Sequence, residues 1–205
     1  MADKLQIYKG ALRLLGNAAG VASLTEVSPA RFTLDDVWTP AGDYLLAKGL
    51  WNFAMRSVMA EASPSLETEF GYQYVFEKPD DWVRTASISD RAFGITGFED
   101  YADETDYWLA NVDVLYIQYV SNHADYGWNV GAWRQPFAKT MEAYMAFESG
   151  LPISSDKGNR NDLYSLFKSR LKEAKTLDAV DERVRVAPAG RLVRARLVSG
   201  NRKDG

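Results

Sequence analysis

The sequence predicts an α+β fold: an antiparallel bundle of N- and C-terminal helices, a small antiparallel β-sheet inserted between them, and an extended C-terminal arm. Apolar residues recur at helical spacing over about 4–50 and 136–177, and they alternate at period two over about 52–122. Because neither helical pair can bury its apolar stripe alone, we expect the two pairs to pack together. We therefore expect residues 1–182 to form one domain and residues 183–205 to form the arm.

The first helix is predicted from four apolar residues that share one helical face, namely Leu5, Tyr8, Leu12 and Leu15. Gly16 supplies a natural stop at its C-terminal end. The small residues that follow are typical of a loop, which leads to a second helical segment.

The second helix is expected to begin at Ser28-Pro29, because serine is a common cap and proline is favoured at the first helical position. Pro40 lies in the middle of this segment. Since proline removes one backbone donor and crowds the preceding turn, we expect a kink or a short break near residues 37–39.

The middle of the chain contains five strand candidates with period-two alternation or many β-forming residues. They are the run Phe53, Met55, Ser57 and Met59, the run Tyr72, Tyr74 and Phe76 that stops at Pro79, and residues 82–89, 107–110 and 112–120. Turn residues separate them, so we predict one antiparallel sheet.

Two further helices are predicted after the strands. Pro136 suits the start of the third helix, which we expect to close at Gly150-Leu151-Pro152. Asn159 or Asn161 can cap a final helix, whose apolar stripe runs as far as residue 177.

The residue types exclude several kinds of chemistry. The chain has no cysteine, which excludes disulfides, thiolate metal sites and thiol nucleophiles within it. His123 is its only histidine, so one chain cannot build a multi-histidine metal site, and its place in a turn favours solvent exposure over catalysis. No signal-peptide pattern and no apolar run of roughly 20 residues is found. We expect a soluble intracellular product, and these residue types indicate no cofactor or metal ion.

Two acidic clusters raise the question of carbohydrate chemistry, because paired carboxylates beside tryptophans can build a glycosidase site. The clusters are Asp80-Asp81 and the group Glu99, Asp100, Asp103 and Glu104. We favour the simpler interpretation, in which these carboxylates are solvated turn residues.

Trp128 and Trp133, together with Tyr126, lie in the segment that joins the sheet to the third helix. Such aromatic residues can anchor a protein interface, or they can stack on sugars or bases. We favour packing in the core or between subunits over ligand stacking, and we take Trp128 and Trp133 as candidate partner-binding residues.

The arm differs from the rest of the chain in charge. Seven basic residues and one acidic residue follow residue 182, whereas residues 1–182 carry 17 basic and 27 acidic ones. Candidate partner-binding residues there are Arg183, Arg185, Arg191, Arg194 and Arg196. They can neutralise phosphates, meet acidic grooves of a protein partner, or belong to a solvated end. The valines and leucines between them favour an arm that docks.

Several segments, taken in order, carry a resemblance to a known family. They are Leu14-Leu15-Gly16, Leu50-Trp51-Asn52-Phe53-Ala54, Tyr72-Gln73-Tyr74-Val75-Phe76, Pro79-Asp80-Asp81-Trp82-Val83-Arg84, Leu115-Tyr116-Ile117-Gln118-Tyr119-Val120, and the helices from Pro136 and Asn161. Over about residues 4–180 the chain resembles the tail tubular protein A family, the head-to-tail adaptors of podovirus-type bacteriophages. Lys78-Pro79 stands where that family often has Leu-Pro, and the arm carries no family motif.

The resemblance implies a structural virion protein rather than an enzyme. Members form a homo-oligomeric ring, commonly a dodecamer, between the portal protein and the tail nozzle, which is built of a protein similar to tail tubular protein B. Double-stranded genomic DNA passes through the lumen during genome ejection without sequence-specific binding, and no membrane is involved. The expected location is the viral tail at the head-tail connector, after assembly in the host cytoplasm.

Two alternatives to the adaptor stay open. One is a carbohydrate-binding or carbohydrate-active tail protein that uses the tryptophan and acid clusters. The other is a nucleic-acid-binding protein that works through the basic arm.

Overall fold

The computed structural model describes residues 2–16, 20–68, 70–92, 98–154 and 160–181. Within these residues the chain forms four α-helices, six β-strands and two short 3-10 turns. Two helices come first, all six strands follow, and two helices come last. The predicted α+β class is therefore confirmed. No helix in this part of the chain is long and apolar enough to cross a membrane.

Helices α1 (Lys4–Leu14) and α2 (Pro29–Ala47) begin at side-chain caps. Asp3 accepts a hydrogen bond from the backbone N–H of Leu5, and Ser28 accepts one from the backbone N–H of Arg31. These bonds satisfy donors that the first turn of a helix leaves unpaired. The predicted start of α2 at Ser28-Pro29 is confirmed.

Helix α2 continues through Pro40, so the short break expected before it is absent. Pro40 lacks the N–H that would donate to the carbonyl of Asp36, and both residues lie on the exposed side of the helix. Water can satisfy that carbonyl, which explains why the proline is tolerated.

The six strands form two antiparallel sheets in the described residues rather than the single sheet predicted. The first sheet has the order β1-β6-β3 and the second has the order β2-β5-β4. The strands are β1 (Met55–Glu61), β2 (Tyr74–Glu77), β3 (Trp82–Ser89), β4 (Tyr101–Asp103), β5 (Tyr107–Ala110) and β6 (Val114–Ser121).

A buried apolar cluster joins the two sheets and explains their separation. Phe76 and Trp108 from the second sheet pack with Ile88, Leu115 and Ile117 from the first. In one continuous sheet these apolar side chains would face water, whereas two sheets packed face to face bury them between the sheets.

Helices α3 (Gln135–Ser154) and α4 (Arg160–Asp181) follow the sheets. The expected end of α3 at Gly150 is wrong, because the helix continues to Ser154. Gly150 is buried within packing distance of Leu15 and Leu163, and such tertiary contacts override its low helix propensity. Asn161 lies inside the first turn of α4 rather than at its cap, while Asn159 lies outside the described residues.

The main core lies among the helices, with α1, α2 and α4 each packed against α3. Its fully buried members include Tyr8, Leu12, Leu45, Met141 and Met145. Val120 from the first sheet also belongs to this core, so the helical part and the sheets share one apolar boundary.

Candidate assembly surfaces around the helix-to-sheet joint

The joint between helices and sheets is built around Trp51, which is only 1% exposed. Its indole N–H donates to the carbonyl of Leu45 at 2.8 Å, near the end of α2. Its ring stacks with Phe53 and meets the edge of Phe137 in α3, with ring centroids 4.9 Å apart in the second pair. One side chain therefore connects α2, the 3-10 turn Asn52–Ala54 and α3.

The end of α4 is fastened to the same joint by Asp178. The backbone N–H of Asn52 donates to the Asp178 carboxylate at 3.0 Å, and the Asn52 side-chain amide donates to the Asp178 carbonyl at 2.8 Å. Asp178 is buried and Asn52 is partly buried, so water has limited access to these two bonds. No local sequence pattern predicts this contact, because 126 residues separate the two partners.

Asp81 lies in a buried polar network, which corrects its interpretation as a solvated turn residue. The residue is 9% exposed. Its carboxylate accepts hydrogen bonds from Arg56 at 2.8 and 2.9 Å, from the Tyr119 hydroxyl at 3.0 Å and from the Ser121 hydroxyl. The network connects β1 and β6 to the turn before β3. Polar side chains at alternating strand positions could have indicated an inward carboxylate partner.

The pKa of Asp81 depends on two opposing effects, burial of the carboxyl group and the hydrogen bonds that it accepts. Burial by itself raises the pKa of a carboxyl group, since it disfavours the charged form. Hydrogen bonds from Ser121, Arg56 and Tyr119 outweigh burial and hold the pKa of Asp81 below its ordinary value of 3.8. The carboxylate is therefore charged at neutral pH and binds the first sheet together.

The second acidic cluster contributes a structural ion pair. Asp103 pairs with the ammonium group of Lys78, whose side chain is 4% exposed and lies 3.5 Å from the centroid of the Trp82 ring. Lys78 also donates to the carbonyl of Glu104. The remaining cluster members, Asp80, Glu99, Asp100 and Glu104, are exposed as expected. In the described parts of the chain, no group of three acidic or histidine side chains is placed to hold a metal ion.

His123 is exposed, as its position in a turn predicts. Its ring nitrogen Nδ1 lies 3.5 Å from the carboxylate of Asp125, two residues further on, which is also exposed. A surface pair of this kind is worth little in stability. The histidine lies beyond the end of β6, and its backbone N–H donates to the Ser121 hydroxyl of the Asp81 network.

Trp133 is 3% exposed, so the structure places it in the core rather than on the surface. Its ring stacks on Trp38 of α2 at 5.6 Å between centroids, and its indole N–H donates to the carbonyl of Gly127 at 2.7 Å. Core packing, the interpretation favoured for this residue, accounts for its position.

Trp128 is half-buried beside Trp133, with ring centroids 5.8 Å apart. Its indole N–H donates to Asp43 of α2 at 3.0 Å, and its ring lies directly over Gly42. The sequence predicted neither contact. Trp128 thus fixes the segment before α3 against α2, and part of its surface stays open to solvent.

We predict opposite effects of adding one methyl group at two helical glycines. A Cβ at Gly42 would lie 2.1 Å from the Trp128 ring, so Gly42→Ala should lower the free energy of unfolding by about 1–3 kcal/mol. At Gly150 the nearest atom would be 3.5 Å away, and Gly150→Ala should raise it by about 0.5–1 kcal/mol. Urea unfolding followed by circular dichroism measures both. Equal effects of the two changes would contradict the packing of Trp128 on α2.

A surface cavity of about 450 Å³ lies on the second sheet. Val75 of β2, Ala102 of β4 and Leu109 of β5 line it, together with Leu66 and Phe70. Phe70 is 86% exposed. The sequence does not predict this cavity, because its strand candidates were expected to form one sheet.

The candidate arginines of the arm, Arg183, Arg185, Arg191, Arg194 and Arg196, lie outside the described residues. The described part of α4 ends at Asp181, three residues after Asp178 of the joint. Asp181 forms an ion pair with Arg134 there.

The sequence was compared with protein-family models and with curated proteins, and it matches none of them.

Proposed function

We propose that this protein is a structural adaptor of a bacteriophage head-to-tail connector, and that it forms a homo-oligomeric ring between a portal protein and a tail nozzle. The observation that carries the proposal is the order of the elements, since all six described strands lie between two helical pairs. A β-rich insertion in an antiparallel helical bundle is the arrangement that the family resemblance implies. The proposal includes no catalytic step, cofactor or metal ion.

The joint supports a role in which two parts of the subunit bear load together. Trp51, Asn52 and Asp178 connect α2, α3, α4 and the segment before β1 through buried and partly buried contacts. A connector must transmit force between portal and tail without coming apart. Buried hydrogen bonds and close aromatic packing resist such separation better than solvent-exposed pairs do.

Exposed apolar residues on separate elements support assembly into a ring. Val27 and Phe32 lie at the start of α2, and Phe70 lies beside the second sheet. A ring made by head-to-tail contacts needs two different surfaces on each subunit. We take these exposed side chains as the candidates for the two surfaces.

The distribution of charge supports passage of DNA without tight binding. Residues 61–113 carry 13 acidic and 3 basic side chains, whereas the other residues before 183 carry 14 of each. Carboxylates repel DNA phosphates, so a lumen lined by this region would not hold the duplex in one register. In this proposal the β-rich region faces the DNA in the assembled virion.

The test is assembly of the full-length chain, alone and mixed with the portal protein of the same phage, followed by native mass spectrometry and negative-stain imaging. We expect closed rings on the portal. Val27→Glu should weaken ring formation because it places a charge on an apolar contact, whereas Thr39→Glu, at an exposed polar position of α2, should not. Monomers at every mixing ratio would overturn the proposal.

A further inference from the structure

Each of the two described sheets has two edge strands, and three of these four edges are short, irregular or partly paired. Strand β4 has only three residues. Strand β3 shifts register twice against β6, and its Ile88 carbonyl accepts a hydrogen bond from the backbone N–H of Phe98 at 2.8 Å. On β2, the carbonyl of Val75 accepts one from the backbone N–H of Ser63 at 2.8 Å. Such features keep an edge strand from pairing with another chain.

The remaining edge strand, β1, lacks these features in the described part of the chain. Its seven residues pair with β6 in one continuous register, from Met55 opposite Val120 to Glu61 opposite Val114, without a bulge. Because an edge strand has a neighbour on one side only, some of its backbone N–H and C=O groups face away from the sheet. A long and regular edge of this kind is a template on which an added strand can form main-chain hydrogen bonds.

A cleft of about 470 Å³ runs along β1. Residues 58–64 all line it, although neighbouring side chains of a strand point to opposite faces. The cleft therefore follows the edge of the strand rather than one of its faces. Glu77 and Pro79, at the end of β2, also line it together with Trp108, whereas no described residue of β6 does. The cleft thus lies on the side of β1 that faces away from β6, beside the end of β2.

One face of this edge is apolar. Val58 and Ala60 pack against the buried cluster between the two sheets, but both stay partly exposed. Trp108 belongs to that cluster and also borders the cleft. Partial exposure of these side chains is expected where the edge strand of a sandwich has no neighbour. Apolar residues of an added strand would cover Val58 and Ala60 and extend the cluster.

The cleft is also acidic. Glu61 and Glu77 line it and are exposed, and the described residues around it include no basic side chain. By alternation, Glu61 points to the opposite face of β1 from Val58 and Ala60. A strand that matches this edge therefore has apolar residues on one face and cationic residues on the other. A second copy of β1 fits poorly, because it would bring further carboxylates into an acidic cleft.

We propose that β1 accepts an extended segment of a partner protein as an additional strand of the first sheet, and that this segment alternates apolar and cationic residues. The main chain of the segment pairs with the free edge of β1. Its apolar side chains cover Val58 and Ala60, and its cationic side chains pair with Glu61 and Glu77. This inference does not depend on the adaptor proposal, because it concerns one subunit and needs no ring.

The test uses the full-length chain and three capped, fluorescein-labelled heptapeptides. The first alternates lysine and valine, the second has glutamate in place of lysine, and the third is the first with N-methyl groups on its three central backbone nitrogens. Fluorescence anisotropy measures their dissociation constants. We expect the first to bind at least about ten times more tightly than the others, because the second meets like charges and the third lacks main-chain donors. Equal affinities, or no binding of the first at about 1 mM protein, would overturn the proposal.

Residue-resolved amide exchange, measured by NMR, locates the contact on the strand. In the free chain, the N–H groups of β1 that face away from β6 should exchange rapidly. Saturation with the lysine–valine peptide should slow their exchange at least about tenfold and leave the exchange of α2 unchanged. Binding without slower exchange in β1 would contradict strand addition. Slow exchange of every β1 amide in the free chain would also contradict it, because the edge would already be paired.

A pair of charge variants tests the role of the acidic cleft. Glu61→Lys replaces an attraction by a repulsion, so it should weaken binding of the lysine–valine peptide at least about fivefold. Glu173→Lys makes the same change at an exposed position of α4, and it should alter the affinity by less than about twofold. Equal weakening by both variants would show that overall charge attracts the peptide, and the proposed pairing at β1 would then be wrong.

Discussion

Replacing Trp51 with alanine is expected to lower the free energy of unfolding by about 4 kcal/mol. The indole ring is buried between α2, the turn that starts the first sheet and α3, so its removal leaves a cavity where three elements meet. The change also leaves the carbonyl of Leu45 without the indole donor. Urea denaturation followed by far-UV circular dichroism measures the effect without relying on tryptophan emission.

Two further variants separate the contributions at the joint. Trp51→Phe keeps an aromatic ring but loses the N–H, and we expect a loss of about 1–3 kcal/mol. Phe70→Ala removes an aromatic ring that is exposed in the subunit, so it should change stability by less than about 0.5 kcal/mol. A Trp51→Ala protein as stable as the Phe70→Ala protein would show that Trp51 does not seal the joint.

Asp81→Ala is expected to lower the free energy of unfolding by about 3 kcal/mol at neutral pH. It removes the common acceptor of Arg56, Tyr119 and Ser121, and the last two hydroxyls lie in buried positions. Arg56 is partly exposed and can turn to solvent, which limits the loss. Asp80→Ala is the matched control, because the neighbouring carboxylate is exposed and should change stability by less than about 0.5 kcal/mol.

The effect of Asp81 should depend on pH in a definite direction. Its pKa in the folded protein is below the ordinary 3.8, so the unfolded chain binds the proton more tightly. The stabilising contribution is therefore complete above about pH 5 and is lost as the pH falls through the folded-state pKa. The difference between the parent and Asp81→Ala should shrink below about pH 4. A difference that stays constant from pH 7 to pH 3 would contradict this electrostatic account.

Local signals predicted those elements whose residues determine their own conformation. Ser28-Pro29 begins α2 because its cap and its fixed backbone angle act within one turn. Residues 82–89 and 107–110 match β3 and β5. By contrast, β4 has three residues, too few to show a period, and it lies in an acidic stretch that is typical of turns.

Features that depend on contacts between distant residues could not be predicted. The division into two sheets follows from the buried cluster that Trp108 and Ile117 share, which the alternation in each strand does not specify. The continuation of α3 past Gly150 depends on packing near Leu15, which follows α1, and near Leu163 of α4. At the candidate site, Asp81 looks identical in sequence to its exposed neighbour Asp80. Only the fold shows which of the two carboxylates faces Arg56.

The packing of α1 and α2 on α3 has a consequence for synthesis of the chain. Their main partner, Gln135–Ser154, emerges from the ribosome about a hundred residues after the start of α2. Formation of the first sheet is delayed in the same way, because its central strand β6 lies between β1 and β3 and is translated after both. The nascent chain thus presents Leu34, Trp38 and Leu45 without their final partners until translation is well past the midpoint. Slowing translation in this interval should increase capture by chaperones, since the exposed apolar surface persists for longer.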